Sequence, residues 1–121
     1  MYDGDLVVKA LPDGKRWEIT QPFRFITHLQ KDWMTVRAGF ITDFASIPKV
    51  LFSVFGGAAT GKFRKAAVCH DYLYHTQQLS RGQSDMIFLI LMIADDVPYW
   101  KAYLMYAAVR VFGGKAWREN V

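Results

Sequence analysis

The sequence predicts an α+β fold: a small N-terminal antiparallel β-sheet packed with a C-terminal three- to four-helix unit that contains an antiparallel helix hairpin. Three observations predict it. Residues 1–45 carry short runs rich in aromatic and β-branched residues, separated by turn residues. Residues 46–113 carry apolar residues at three- and four-residue spacing, the pattern of helices with a buried face. The chain has 121 residues, 52% apolar and 16% aromatic, which suits one domain with one core and excludes disorder. A single domain over 1–121 is expected, with residues 114–121 as a tail.

In the β half, DLVVKAL is followed by PDG and KRWEI, a hairpin signal. Proline presets φ, aspartate bonds its own downstream backbone, and glycine accepts positive φ. QPFRFIT and WMTVRAGFI supply two further strands, with Pro22 marking an edge or a strand start. In the α half, Pro48 suits the first turn of a short helix over 48–55, and FGGAATG (55–61) breaks the pattern. A helix is expected over 60–77, with Thr60 as its cap. A second runs over 81–94, with Ser80 and Gln83 at capping-box spacing. A third runs over 98–112 and stops at Gly113–Gly114. The aromatics of this last helix, Trp100, Tyr103 and Tyr106 among them, read as core. Trp117, on the tail with Lys115 and Arg118, reads as an exposed docking side chain.

Composition narrows the function classes. The run MIFLILMIA (86–94) is too short to span a bilayer. Acids in MYDGDLVV stand where a signal peptide needs bases, so no signal peptide is expected. One cysteine, Cys69, excludes an internal disulfide framework and a multi-cysteine zinc site. The net charge of +4 comes from 15 basic and 11 acidic residues spread along the chain, and no nucleic-acid module is visible, so no nucleic-acid partner is expected. The mild positive balance leaves an anionic membrane or cell-wall surface open as a partner.

The stretch AVCHDYLYHT (67–76) carries the chemistry. On a helix, Phe63, Ala66, Ala67, His70, Leu73 and Tyr74 form one stripe, so His70 points inward and Asp71 lies about 100° round from it. The next helix has the stripe Asp85, Phe88, Leu89 and Met92. A short connection makes the two helices an antiparallel hairpin. His70 and Asp85 are equally far from its centre, between Gln77 and Gln78, so they should face each other. A buried carboxylate needs a partner, and a histidine held by one has its tautomer fixed, as a general base requires. Tyr74, one turn from His70, can donate to Asp85. Two readings stay open: a catalytic pair, or a structural pair joining two helices. Asp71 is a ligand for a hard cation such as calcium, helped by carbonyls of 56–61, or an ion-pair partner of Arg64 or Lys65. In TDFASIP (42–48), Asp43 and Ser46 cap a helix, or Asp43 joins Asp71 as a second metal ligand.

HDYLY resembles the His-Asp-x-Cys-Tyr motif of the secreted phospholipases A(2), with Leu73 at the motif's cysteine. The resemblance implies that His70 is the general base for water, that Asp71 binds calcium, and that Tyr74 braces Asp85, which orients His70. More broadly, GFITDFASIP (39–48), AVCHDYLY (67–74), SDMIF (84–88) and YAAVRVFGGKAW are similar to a family of short phage and prophage proteins. That resemblance implies a bacteriophage or prophage source, synthesis in the bacterial host cytoplasm, and virion proteins as partners. The expected function is a phage accessory protein with a His–Asp hydrolase site acting on an ester, foremost a phospholipid acyl ester. The alternative is a non-enzymatic tail or virion assembly protein whose His–Asp network is structural.

Overall fold

The computed structural model describes residues 1–43 and 62–119. The chain forms two compact units, Met1–Asp43 and Phe44–Val121. The α+β class is observed: six short strands precede four helices among the described residues. The expected helix over 48–55, the cap at Thr60 and the break at 55–61 lie outside the described residues.

The first unit holds two three-stranded antiparallel sheets where a single sheet was expected. One joins β1 (Tyr2–Asp3), β4 (Phe23–Phe25) and β5 (Met34–Val36), in that spatial order. The other joins β2 (Val8–Ala10), β3 (Trp17–Ile19) and β6 (Ile41–Thr42). The predicted hairpin is β2–β3, with Val8 opposite Ile19 and Ala10 opposite Trp17. Its turn forms as the sequence dictates. Asp13 Oδ1 accepts the backbone N–H groups of Lys15 and Arg16 at 2.9 and 3.0 Å, and Gly14 takes φ 71°. Those bonds and the Arg16 side chain hold the Asp13 carboxyl down at about 2. WMTVRAGFI is two strands, not one. Gly39, at φ 90°, turns the chain between β5 and β6, and its N–H bonds Ile19 O at 2.7 Å. Phe23 and Phe25 alternate with exposed Arg24, and with Ile19 and Val36 they form the buried side of this unit.

The second unit holds α1 (Arg64–Thr76), α2 (Arg81–Ala94), α3 (Tyr99–Phe112) and α4 (Gly114–Glu119). The helix α1 ends at Gln77 in the left-handed conformation (φ 52°), where its N–H bonds Leu73 O. The capping box of α2 is present: Ser80 Oγ accepts from Gln83 N at 3.1 Å, and Gln83 Oε1 accepts from Ser80 N at 3.1 Å. Both predicted stripes are buried, Phe63 to Tyr74 on α1 and Asp85 to Met92 on α2. The contacts His70–Asp85 and Tyr74–Arg81 connect residues that move oppositely along the two helices, the signature of an antiparallel hairpin. Two expectations fail. Residues 114–119 are a helix rather than a tail, and Trp117 on it is half-buried, its ring edge-on to Tyr74 at 5.1 Å. On α3, Ala102, Met105, Ala108 and Val109 are buried, while Trp100, Tyr103, Leu104, Val111 and Phe112 are exposed. The large aromatic side chains therefore do not fill the core there; small and flexible ones do.

Candidate functional site

The site is built around one carboxylate. Asp85 stands one turn into α2, on its buried stripe, and its side chain is 0% exposed. Its Oδ1 lies 2.7 Å from His70 Nε2 and accepts the Tyr74 hydroxyl, also at 2.7 Å. Both partners come from α1, one turn apart, so helical spacing alone delivers two donors to one oxygen. Its Oδ2 accepts Arg110 Nη1 from α3 at 2.8 Å, and Arg81 Nη1 lies 3.6 Å away.

Arg81 does more than approach Asp85. Its guanidinium donates to Val109 O at 3.0 Å, which also accepts Gly113 N–H at 2.8 Å, and to Arg110 O at 3.1 Å, two carbonyls in the last turn of α3. A cation there also suits the negative end of the helix dipole. Thus Arg81 ties the start of α2 to the end of α3, and Arg110 returns from that end to Asp85. His70 is sandwiched laterally by Tyr74 and Phe88, ring centroids 4.3 and 4.6 Å away. Gln77 Nε2 donates to Trp117 O at 2.8 Å, which brings α4 to the turn of the hairpin.

Electrostatics fix the protonation pattern. Burial by itself pushes the Asp85 carboxyl up, but the His70 hydrogen bond and charge, with the Tyr74 and Arg110 bonds, outweigh it and hold the group below its ordinary value. Asp85 is therefore a carboxylate, an acceptor only. A 2.7 Å contact with it requires a hydrogen on His70 Nε2, so Asp85 fixes which ring nitrogen faces it. Burial, then donation to Asp85, pushes the Tyr74 hydroxyl above its ordinary range, so it stays protonated and keeps donating. Arg110 is raised by its bond to the same carboxylate. Cys69, beside His70 in sequence, is buried, and burial pushes its thiol up, which fits a small core side chain rather than a nucleophile.

Of the residues singled out in the sequence, His70, Tyr74 and Asp85 come together. Asp71 is half-buried on α1, and Asp43 is exposed at the end of the first unit. Ser46 lies outside the described residues. His28 and His75 are exposed. Among the described residues, no three His, Cys, Asp or Glu side chains converge as metal ligands.

Comparison with known proteins places this arrangement in a family. Residues 17–109 match the family described as "Protein of unknown function (DUF1353)". The chain belongs to this family. The DUF1353 match spans His70, Tyr74, Arg81 and Asp85 and ends one residue before Arg110. The DUF1353 chain is also 36% identical over 97 residues to "Uncharacterized protein y4jT" of Sinorhizobium fredii. Those residues are 80% of this chain and 29% of that protein, so the chain spans under a third of its relative's length. No solved structure matches it.

Two members of this DUF1353 site escaped the sequence reading. Arg110 is one of the bases spread along the sequence, and Arg81 follows the capping Ser80. Signals for both existed. Arg81 and Asp85 have i,i+4 spacing, and Arg110 is one of two charged residues in α3, whose other twelve residues are apolar or tyrosine. A carboxylate predicted to be buried called for a cation of that kind.

Proposed function

We propose that this chain is a bacteriophage or prophage accessory protein with a His–Asp hydrolase site of the phospholipase A(2) type. The observation that carries the reading is the double contact on Asp85 Oδ1, from His70 Nε2 and from Tyr74, each at 2.7 Å. The HDYLY resemblance implies the same contacts among His70, Tyr74 and Asp85, which supports the reading. Asp85 orients the imidazole and fixes its tautomer, and Tyr74 and Arg110 brace Asp85.

In this mechanism His70 Nδ1 takes a proton from water as the water oxygen attacks the carbonyl carbon of an acyl ester. Asp85 stabilises the imidazolium that forms. The tetrahedral intermediate collapses, the ester C–O bond breaks, and the departing alkoxide takes the proton from Nδ1–H. The products are a carboxylic acid and an alcohol. A divalent cation at Asp71 would supply charge stabilisation for the oxyanion.

A second reading has its own support. His70 and Asp85 are both 0% exposed, and among the described residues no buried side-chain nitrogen or oxygen lacks a partner. A general base must be reached by its water, whereas a non-enzymatic tail or virion component needs only the bracing. One experiment separates the two. Hydrolysis of phospholipid and of a soluble acyl ester is measured with calcium and with chelator, for the native chain and His70→Gln. Glutamine keeps an N–H for Asp85 and removes the basic nitrogen. The hydrolase reading expects native activity and a loss of about 10²–10⁴-fold in a folded variant. Absence of hydrolysis by the native chain in both conditions would leave the structural reading. A response to calcium that Asp71→Asn abolishes assigns the cation.

A further inference from the structure

The helix α3 is apolar on two sides. Ala102, Met105 and Val109 are buried, which accounts for one side. At about 100° per residue, Tyr99, Trp100, Tyr103, Leu104, Ala107 and Val111 share the opposite face. The five large ones are 69%, 62%, 55%, 43% and 71% exposed, and Ala107 is exposed too. By the same count Arg110, paired with Asp85, falls at the edge of that face between Tyr99 and Tyr103, and the rest of the face carries no charge. A fully exposed large side chain presents roughly 150–250 Å², so the face offers on the order of 600 Å² of apolar and aromatic surface, at the upper end of what a soluble monomer leaves bare. A helix apolar all round is one that something covers.

We propose that this face docks on an anionic phospholipid surface. Charge complementarity selects the occupant. Lys101 Nζ lies over the Trp100 ring, 5.4 Å from its centroid, which sets a cation at the edge of the face. Exposed Lys115 and Arg118 follow on α4, whereas Arg110 on α3 spends its charge on Asp85. On α3 and α4 the one acid is Glu119, and Lys115 Nζ stands 3.9 Å from it; Asp95 and Asp96 precede α3 at its far end. A second copy of a chain with net charge +4 would bring bases against bases. Tyrosine and tryptophan beside lysine are also the side chains that settle where hydrocarbon meets headgroups. At fourteen residues, about 21 Å, α3 is too short to cross a bilayer, so it lies in the interfacial plane. The proposal stands on this face and does not depend on the His70–Asp85 reading.

Ether-linked lipids, which have no acyl ester, keep binding separate from hydrolysis. Sedimentation with vesicles of ether phosphatidylcholine and phosphatidylglycerol, and with phosphatidylcholine alone, is compared for the native chain and the double variant Trp100→Ala/Tyr103→Ala. The expected result is binding to the anionic vesicles, weaker in high salt, with the fluorescence of Trp100 shifted to the blue, and at least tenfold weaker binding by the variant. Both substitutions are at exposed positions, so circular dichroism should show the variant folded. Absence of sedimentation with either vesicle overturns the proposal, as does equal binding by the variant. So does a native dimer in light scattering that the variant converts to monomer, which would show a second copy on the face.

Discussion

Asp85 is a carboxylate held ionised where water does not reach. Three donors converge on it with the Arg81 cation 3.6 Å away, and the arrangement is intolerant of losing the charge they were built around. In Asp85→Asn the Arg110 cation loses its ion pair, and the His70 N–H meets a weaker acceptor. Removing one partner of a buried pair costs about 3–5 kcal/mol, and that is the expected loss, read as a lower urea midpoint at unchanged slope. Arg110→Ala should cost less, because the Arg110 side chain is 39% exposed and water already screens part of its interaction. Had Asp85 been an isolated surface ion pair, the change would fall within about 1 kcal/mol. The pairing of His70 with Asp85 was legible from the sequence because two apolar stripes each carried one polar residue, and a short turn fixed their register. The arginines were harder to see. Long side chains reach the site from other turns and another helix, and neither stripe position nor distance from the hairpin centre predicts that reach.

At the scale of the element, the end of α3 is fitted against α1 and α2 at one glycine. A Cβ built on Gly113 would press into the Val109 carbonyl oxygen and stand 2.7 Å from the Tyr74 hydroxyl and 3.4 Å from Arg81 Nη1. Those are the groups that tie Asp85 to α1 and α3. Gly113→Ala should therefore destabilise by about 1–3 kcal/mol, and more if Tyr74 is pushed off Asp85. At the adjacent Gly114 a Cβ meets only the end of the Arg118 side chain, at 3.2 Å, which can swing aside. Gly114→Ala is expected to be near neutral, and thermal unfolding of the pair of variants measures the contrast. As the sequence indicates, α3 stops at Gly113–Gly114; Gly113 is not left-handed there (φ −74°), and close approach is what requires a glycine. Elements with local signals were legible in the same way: the PDG turn, and the capping box that starts α2. Those without them were missed. The strand β1 is two residues long and forms only by pairing with Phe25 and Arg24 far along the chain. The split of β5 from β6 hangs on one positive-φ glycine in a run that otherwise reads as continuous strand.

For the whole molecule, the network and the PDG turn make stability depend on pH at both ends, and the signs can be worked out. Asp85 sits below its ordinary value of 3.8 in the folded chain. Its contribution is complete above 3.8 and is lost as pH falls through the lower folded value, because below that range the unfolded state no longer holds the extra proton. Asp13, depressed from 3.8 to about 2 at the surface, acts in the same direction over that interval. Tyr74 is raised above its ordinary 10, so its contribution is complete below 10 and is lost as pH rises through the folded value, where the unfolded state releases its proton first. Urea unfolding as a function of pH should therefore show a plateau between about 4 and 10 for these groups, with a fall on each side. Asp13→Asn should flatten only part of the acid limb, and Tyr74→Phe should flatten the alkaline limb while lowering the plateau, since Asp85 loses a donor. An alkaline limb unchanged in Tyr74→Phe would show that the Tyr74–Asp85 contact does not bear on folding. The acid limb divides the two compact units as well. Asp13 belongs to the first and Asp85 to the second, so if the units unfold separately, Asp13→Asn and Asp85→Asn will move different transitions.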